Sequence, residues 1–398
     1  MHRILITNLD DYPQFIGGIK RVSALLAEQW RKEGHEVCFL THSTSTLRFP
    51  EIAGIPNQLL PKSDSIDNPE NEAYILSLIC NRGFDILINQ FADDADMVSL
   101  CAKIRKQSPD VRLVTALHFA VNHTTSNIDA SFFTRLKLGS KVKRYAFDVL
   151  RYVKYQLLDK RRILQKEADQ YRQVYDSSDL TVLLSEKFIP EFAERIGLPV
   201  IQCTKLTAIN NPIVAICEES RKPKEKLVVW CGRNEYGQKR LDRMLSIWKR
   251  FCQWHPDWHC VVLGGGDIAY WKQLAASMHL QNIEFVGFCN PSEWYARASM
   301  LCMTSASEGW GMVLVEAQAQ GCIPMAYHTF HSLTDIITEG ENGFIIPAGD
   351  EKEYVRKMHR LAIDDSLREK MACNAQTSVN RFDAMRTAKK WIELFNRL

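Results

Sequence analysis

The sequence predicts an α/β protein made of two doubly wound, parallel-sheet domains, and three observations support this. Short β-branched runs alternate with helical patterns along most of the chain, which is typical of βαβ units. Residues 210–226 interrupt this alternation with a polar, proline-containing and charge-dense stretch, which marks a linker. A length of 398 residues suits two domains of roughly 150 residues or more each.

The elements before the linker follow one another as strand and helix. Strands are predicted at 2–8, 36–41, 85–91, 112–120 and 180–185. Helices are predicted from Gly17-Gly18 to Gly34 and at 71–80 and 94–106, followed by a long helical region before the last strand. Single helices between strands give crossover connections, so these strands build one parallel sheet.

The alternation resumes after the linker. Strands are predicted at 227–231, 260–263, 283–288, 300–304, 323–327 and 344–347, and helices at 240–254, 292–298, 311–320 and 384–398. The predicted domains are therefore 1–210 and 211–380, with a C-terminal helix at 381–398 that packs back on the first domain. Two such sheets are expected to face each other across a cleft and to bind ligands at the carboxyl ends of their strands.

Composition excludes several classes of protein. With 46% hydrophobic and 24% charged residues the chain is an ordinary globular one, and a net charge of +3 is too small to indicate nucleic acid. Its 12 cysteines form no C-x-x-C pair. We therefore expect reduced thiols, and we expect neither a disulfide framework nor a metal site. No signal peptide or membrane span is expected, because no apolar stretch approaches about 18 residues.

The most informative segment lies between Ser305 and Gly321, where a strand runs through a glycine-containing turn into a helix. The N–H groups of Gly311, Met312 and Val313 are expected to form an anion site at the start of this helix. Glu316 lies about 7.5 Å along the helix axis from the start of the helix. This is a plausible distance between the diphosphate and the ribose hydroxyls of one bound nucleotide. Glu308 precedes the helix. Taken singly, the glycines and glutamates of this segment could equally belong to an ordinary strand–turn–helix with solvated glutamates.

A second glycine turn follows the first strand after the linker. Here Arg233 and Lys239 are expected to flank the same cleft, where two fixed cations would stabilise a departing diphosphate. Two surface cations beside a helix start are the alternative. His118 follows a predicted strand, at the edge where α/β proteins build their sites, and is a further candidate. Asp93, Asp94 and Asp96 are predicted to open a helix as caps, not to bind a metal.

These motifs make the chain resemble a family 4 retaining glycosyltransferase of the GT-B architecture, which consists of two Rossmann-like domains. The E-x7-E motif from Glu308 to Glu316 with its Gly-Trp-Gly, and the Gly232-Arg233…Lys239 motif, carry the likeness. The likeness extends in the family's order from residue 4 to residue 347. Trp310 departs from the family's usual Phe, and Arg240 stands where glycine is common.

The resemblance implies a role for each matching residue. Arg233 and Lys239 would bind the donor diphosphate with the N–H groups near Gly311, Met312 and Val313, and Glu316 would bind the ribose. Glu308 would contact hydroxyls of the transferred sugar, His118 would lie beside that sugar, and Gly18 would approach the donor phosphates or the acceptor. The catalytic candidates are thus His118, Arg233, Lys239 and Glu308.

The resemblance also implies the reaction. A hexosyl unit would pass with retention from a nucleotide-diphosphate sugar, UDP-sugar favoured and GDP-mannose second, to a glycan or lipid-linked glycan in surface polysaccharide biosynthesis. No metal or other cofactor is expected. The alternative is a catalytically inactive nucleotide-sugar-binding protein of the same fold. A non-hydrolysing epimerase and a phosphorylase are less consistent with the motifs and the chain length.

One local surface stands out by its charge. Between Arg135 and Arg172 there are 12 Lys and Arg residues against 4 acids, interleaved with tyrosines and leucines. Such a stretch suits an anionic membrane face, and a solvated helix with its aromatic residues in the core is an equal alternative. Nucleic acid is not expected as a partner, because no binding motif accompanies the charge. The expected location is the cytoplasm, with peripheral attachment to the inner face of the cytoplasmic membrane left open.

Overall fold

The computed structural model describes residues 1–9, 18–42, 51–52, 54–122, 126, 128–129, 149–214, 223–233 and 237–398. The chain divides into two compact units. The N-terminal unit comprises Met1–Val121, Ile163–Val214 and Phe382–Leu398, and the C-terminal unit comprises Asn122–Arg162 and Ala215–Arg381. The chain therefore passes between the units several times and does not divide at a single linker.

The N-terminal unit contains an eight-stranded sheet. Its strands are β1 (Arg3–Asn8), β2 (Glu36–Thr41), β3 (Glu51–Ile52), β4 (Ile55–Leu59), β5 (Ile86–Asn89), β6 (Arg112–Ala116), β7 (Leu180–Leu183) and β8 (Leu206–Ala208). They lie in the order β3-β4-β2-β1-β5-β6-β7-β8, and all neighbours are parallel except β3 and β4. The predicted parallel sheet is confirmed.

The helices that begin before residue 200 follow the sequence pattern closely. They are α1 (Gly18–Lys32), α2 (Pro69–Arg82), α3 (Ala95–Gln107), α4 (Lys160–Ser177) and α5 (Ile189–Arg195). The apolar stripe of α1 is buried at Val22, Leu26 and Trp30. Asp94 caps α3 by accepting a hydrogen bond of 2.8 Å from the N–H of Met97, which confirms the predicted capping role.

The sequence pattern does not predict the short strands β3, β4 and β8. They are two, five and three residues long, and β4 reads Ile-Pro-Asn-Gln-Leu, which is a weak strand sequence. Pairing with established neighbours stabilises them instead, since Phe39 of β2 lies opposite Asn57 of β4. Such tertiary pairing leaves no local signal.

The C-terminal unit contains a six-stranded parallel sheet. Its strands are β9 (Glu225–Cys231), β10 (His259–Leu263), β11 (Ile283–Gly287), β12 (Ala298–Met303), β13 (Ile323–Tyr327) and β14 (Phe344–Ile346). Their order is β11-β10-β9-β12-β13-β14. If the strands of this sheet are numbered by themselves, the order is 3-2-1-4-5-6, that of a Rossmann-like sheet. The predicted fold class is confirmed here as well.

Seven helices of the described chain accompany this sheet. They are α6 (Leu241–Phe251), α7 (Ile268–Ser277), α8 (Ser292–Arg297), α9 (Met312–Ala319), α10 (Leu333–Ile336), α11 (Glu351–Ile363) and α12 (Asp365–Ser378). Large aromatic side chains fill the core, and Trp230, Trp248, Trp258 and Trp271 are almost completely buried. Because one such side chain buries 150–250 Å², these residues contribute strongly to the stability of the unit.

The last helix, α13 (Ala384–Phe395), belongs to the N-terminal unit and packs on α1. The indole N–H of Trp30 donates to the carbonyl of Ala388 at 3.1 Å, and the rings of Trp30 and Trp391 lie 6.2 Å apart. Asp383 caps this helix. Among the helices that the structure describes, none combines the length and the apolar character needed to cross a membrane.

Candidate functional site

Strands β9 and β12 lie side by side in the middle of the C-terminal sheet. From this pair the chain builds the sheet outward in both directions, so the switch point of the topology falls between them. In doubly wound sheets ligands bind at such a point, outside the carboxyl ends of the strands. Both sequence motifs leave the sheet here, because one follows β9 and the other follows β12.

The two motifs meet through a charged pair. The Nζ atom of Lys239 lies 2.6 Å from Oε1 of Glu308, although 69 residues separate them in the chain. Their side chains are only 20% and 9% exposed, so water screens the pair only in part. The tertiary structure therefore brings together a cation of one motif and the first glutamate of the other.

Gln238 connects the same two loops, and no sequence pattern indicates this role. Its carbonyl accepts from the N–H of Ala306 at 2.7 Å, and its side-chain Nε2 donates to the carbonyl of Ser307 at 3.0 Å. The guanidinium of Arg233, an exposed residue, donates to Oε1 of Gln238 at 3.4 Å. A glutamine whose partners are largely backbone atoms of a distant loop gives no sequence signal.

The backbone at Lys239 is held by buried hydrogen bonds. The hydroxyl of Thr304, at the end of β12, shares its proton between the carbonyls of Lys239 at 3.2 Å and Arg240 at 2.9 Å. The indole N–H of Trp230 donates to the same hydroxyl oxygen at 3.0 Å. These bonds connect the position of Lys239 to the cores of β9 and β12.

Arg240 explains one departure from the family pattern. It adopts a left-handed conformation with φ of 53°, which glycine reaches freely and other residues reach at a cost of roughly 1–2 kcal/mol. Its guanidinium makes two hydrogen bonds of 2.9 Å to the carboxylate of Asp242, and the two side chains are 7% and 1% exposed. This paired, buried contact holds the arginine where the family usually has glycine.

The second loop ends at Gly311, directly before α9. Gly311 has φ of 87°, and a Cβ atom there would lie 3.2 Å from Leu314 Cδ1, so glycine is the residue that fits. The hydroxyls of Thr329 and Ser332 hold the loop by donating to the carbonyls of Ser305 and Gly309, each at 2.8 Å. Helix α9 has no acidic residue in its first turn and no side-chain cap, which leaves its positive end suited to an anion.

Glu316 lies on α9 and is half-buried, as are Met312 and Val313 at the start of that helix. Burial raises the pKa of Cys231, the last residue of β9, to about 11. The carboxylate of Glu316 raises this pKa further, whereas the ammonium of Lys239 lowers it. Cys231 therefore lies within electrostatic reach of both charged residues and stays a neutral thiol at physiological pH. The sequence predicts it only as a buried, reduced cysteine.

His118 and Gly18 belong to the N-terminal unit. His118 comes two residues after β6, and both of its ring nitrogens are buried without a hydrogen-bond partner among the described residues. Burial lowers its pKa to about 4, so the imidazole is neutral at physiological pH. It lines a small cavity with Leu26, Asn210 and Trp391. Gly18 is the first residue of α1, and Gly17 lies outside the described residues.

In the part of the chain that the structure describes, no group of three or more His, Cys, Asp or Glu side chains could hold a metal ion. The charged groups at the switch point are instead arranged as the two pairs of Lys239 with Glu308 and Arg240 with Asp242. This arrangement can supply fixed charges and a helix N-terminus to an anionic ligand.

Comparison with known proteins identifies the family. The model for "Glycosyltransferase Family 4" matches residues 16–214, half of the chain, and the model for "Glycosyl transferases group 1" matches residues 213–378. The chain is 22% identical over 394 residues to the N-acetyl-alpha-D-glucosaminyl L-malate synthase of Bacillus anthracis, covering 92% of this chain and 90% of that protein.

Other relatives match over shorter regions. An exopolysaccharide phosphotransferase of Streptomyces coelicolor is 27% identical over 227 residues, which cover 55% of this chain and 23% of that protein. The chain thus spans about a quarter of that relative's length, and about half of an uncharacterized glycosyltransferase of Haemophilus influenzae.

Solved structures match the whole chain. The structure of Anabaena HepE with UDP and glucose superimposes with a TM-score of 0.74 at 15% identity, covering 100% of both chains. An apo lipopolysaccharide outer core galactosyltransferase gives a TM-score of 0.69 at 16% identity, again over 100% of both chains. These likenesses confirm the predicted GT-B fold. Together with the two family models, they show that the chain belongs to the group 1 glycosyltransferases of family 4.

Proposed function

We propose that this protein is a retaining, metal-independent hexosyltransferase that uses a nucleotide-diphosphate sugar. A UDP-sugar is the favoured donor, with GDP-mannose second, and the acceptor is a glycan or a lipid-linked glycan of surface polysaccharide biosynthesis in the cytoplasm. The observation that carries the proposal is the Lys239–Glu308 pair of 2.6 Å at the switch point of the C-terminal sheet. It joins the two motifs on which the donor site depends.

The donor diphosphate would bind at this pair. Since the charge of Lys239 is already balanced by Glu308, a doubly charged diphosphate needs further positive charge. Arg233, which is exposed beside the loop, and the N-terminus of α9 at Gly311, Met312 and Val313 would supply it. Preorganised charge of this kind is usually the largest single contribution to catalysis, because it stabilises the charge that grows on the leaving group.

The remaining donor contacts follow along α9. Glu316, half-buried on this helix, would accept hydrogen bonds from the ribose hydroxyls. Glu308 would bind hydroxyls of the transferred sugar through Oε2, because Oε1 is paired with Lys239. Glu308 then has two tasks, since it orients the cation and recognises the sugar.

His118 and Gly18 would serve the reacting sugar and the acceptor from the N-terminal unit. A histidine with a pKa of about 4 cannot act as a cation near neutral pH, so its role would be that of a neutral hydrogen-bonding group. Its two ring nitrogens are buried and have no partner among the described residues, a costly state that a sugar hydroxyl would relieve.

The proposed chemistry is front-face transfer. The bond between the anomeric carbon and the β-phosphate oxygen breaks, and the bond to the acceptor oxygen forms on the same face. The released phosphate oxygen takes the acceptor's hydroxyl proton. The chain's contribution is positive charge from Lys239, Arg233 and α9 on the departing diphosphate.

The relatives support the donor class. Similar solved structures are those of Anabaena HepE with UDP, with UDP-glucose, or with UDP and glucose. Another relative, in Campylobacter jejuni, is named for transfer of N-acetyl-D-galactosamine to an undecaprenol-linked glycan. These names favour UDP-sugars and lipid-linked acceptors for this chain too.

A donor screen tests the proposal. Thermal unfolding is measured with saturating UDP-, GDP- and ADP-sugars, and release of free nucleotide is followed with each. The cognate donor should add about 2.7 kcal/mol to the free energy of unfolding at a hundredfold excess over its dissociation constant. A bound donor that is neither hydrolysed nor transferred to any acceptor would favour the inactive binding protein. No stabilisation by any nucleotide sugar would overturn the donor site.

A further inference from the structure

Helical residues 149–162 expose a row of large aliphatic side chains. Leu150, Val153, Leu157 and Leu158 are 68%, 45%, 72% and 65% exposed. Their spacing of i, i+3, i+7 and i+8 is that of a stripe which helices normally bury against a core. These four side chains therefore form an apolar helix face that the described part of the chain does not cover.

The opposite face of this helix is bonded to Asp129, and these bonds determine which way the aliphatic row faces. The side chains of Tyr152 and Gln156 donate to Oδ1 of Asp129 at 2.8 and 3.1 Å, and Lys160 Nζ lies 3.8 Å from Oδ2 of the same residue. Tyr155 is only 7% exposed, and its ring lies 5.8 Å from that of Tyr152. A turn of π-helix at Tyr155–Asp159 lies within this stretch, and such turns are frequent at functional sites.

Exposed cations accompany the aliphatic row. Arg151, Lys154, Arg161 and Arg162 are exposed, whereas Asp159, the only acid among residues 149–162, is half-buried. We call these four cations together with the four aliphatic residues the exposed ridge. Of the aromatic residues in this helical stretch, Tyr155 is buried and Tyr152 is half-buried, so neither belongs to the exposed ridge.

We propose that the exposed ridge docks on the surface of an anionic lipid bilayer. Aliphatic side chains flanked by lysine and arginine are the composition of an interfacial helix, whose apolar side chains enter the boundary of the acyl chains while its cations meet the headgroups. An exposed apolar row of this length otherwise marks a site of association.

Charge argues against the other occupants. A second copy packed symmetrically would place the same surplus of cations against itself. Single-stranded nucleic acid would need exposed aromatic rings for stacking, and Tyr155 is buried. The inference concerns partitioning to lipid and stands apart from the proposed sugar transfer.

Vesicle sedimentation tests the proposal with the full chain. Vesicles of phosphatidylcholine alone and of phosphatidylcholine mixed with phosphatidylglycerol are compared at low and high salt. The wild type should bind the anionic vesicles and release them as salt rises. A triple variant, Arg151→Gln with Arg161→Gln and Arg162→Gln, should lose roughly fivefold in partitioning per cation. Leu150→Gln with Leu157→Gln and Leu158→Gln should lose binding even at low salt.

Matched controls separate the ridge from net charge and surface apolarity. Lys272→Gln with Lys352→Gln and Lys370→Gln removes three exposed cations elsewhere, and Ile201→Gln with Ile363→Gln removes two exposed aliphatic residues. Both controls should bind like the wild type.

Absence of wild-type binding to anionic vesicles, or unchanged binding of either ridge variant, would overturn the proposal. A dimer in sedimentation equilibrium that the leucine variant abolishes would assign the ridge to a second copy instead. Nucleotide-sugar binding should be unchanged in every variant, so failure here leaves the proposed function unaffected.

Discussion

The two parallel sheets of this protein differ in the polar groups that they bury near their carboxyl edges. Among the described residues of the N-terminal sheet these groups are uncharged, as in the bond of 2.6 Å from the Thr41 hydroxyl to Asn57 Oδ1. In the C-terminal sheet charged groups of low exposure accompany neutral ones such as the Thr304 hydroxyl, as in the pairs Lys239–Glu308 and Arg240–Asp242.

The difference shows how one sheet architecture supports two kinds of recognition. Neutral hydrogen-bonding networks, such as that of Ser23, Gln90 and Thr7, hold a shape without attracting ions. Charged pairs of low exposure hold their cations in a fixed position, which in the proposed function serves an anionic donor. We therefore expect substitutions in the charged pairs to change the proposed donor chemistry, and substitutions in the neutral network of Ser23, Gln90 and Thr7 to change stability alone.

The largest effect is expected from Lys239→Ala. This change removes a cation from the proposed diphosphate site and leaves Glu308 without its counterion, so turnover should fall by roughly 10²–10³-fold. Stability should fall as well, by up to about 3 kcal/mol, because the carboxylate is only 9% exposed. Steady-state kinetics and urea unfolding measure the two effects. Lys272→Ala, at an exposed lysine of the same unit, is the control, and full activity of Lys239→Ala would contradict the proposed site.

Glu316→Gln is expected to act on donor binding. The change would remove the proposed charge-assisted hydrogen bond to the ribose, so the affinity for the nucleotide should fall by about 1.5–3 kcal/mol. Titration calorimetry with the nucleotide measures it. Since Glu316 contributes to the raised pKa of Cys231, alkylation of that thiol should begin at lower pH in the variant. An unchanged nucleotide affinity would remove Glu316 from the donor site.

Two threonine variants compare the edges directly. Thr41→Val and Thr304→Val each remove a buried hydroxyl, leave its partners unsatisfied and should each cost about 1–3 kcal/mol of unfolding free energy. Only Thr304→Val releases the carbonyls of Lys239 and Arg240, so only this variant should also lower turnover. Urea unfolding and kinetics on both variants test this. Equal losses of turnover in the two variants would mean that the carboxyl edge of the C-terminal sheet has no special role in turnover.

The smallest effect is expected at His118 and depends on pH. Its pKa in the folded state is about 4, below the ordinary value of 6.5, so folding favours the neutral form. Its contribution to stability is complete above about pH 6.5 and is lost progressively as the pH falls towards 4, because the unfolded chain takes up the proton first. The unfolding free energy of His118→Gln should therefore vary less than that of the wild type across this range. His259→Gln, at an exposed histidine, should follow the wild type, and parallel curves for His118→Gln would contradict the burial.

Much of the fold was predictable because hydrophobic periodicity is local. Strand β2, predicted at 36–41, is observed at the same residues, and α9 begins one residue after the predicted start. Elements of low apolar content were missed, since β4 depends on its neighbour β2 and not on its own composition. The residues of the two motifs could be identified, but Gln238 could not, because what marks it is contact with a distant loop.

The basic stretch shows the same limit. Its charge was evident from the sequence, but the sequence could not show which side chains face outward. The Tyr152 hydroxyl donates to Asp129 on one face of the helix, whereas Leu157 on another face is exposed. The rotation of a helix about its axis is set by a few specific contacts, and composition does not record them.

The sequence by itself determined the alternation of strands and helices, the two parallel sheets and the family of the chain, because periodicity and short motifs are properties of neighbouring residues. Only the tertiary structure decided that β9 and β12 are neighbours, and thereby that Lys239 meets Glu308 across 69 residues. It also decided that Arg240 adopts a left-handed conformation held by Asp242. Strand order is chosen by the packing of the whole sheet, so no local pattern could have specified these contacts.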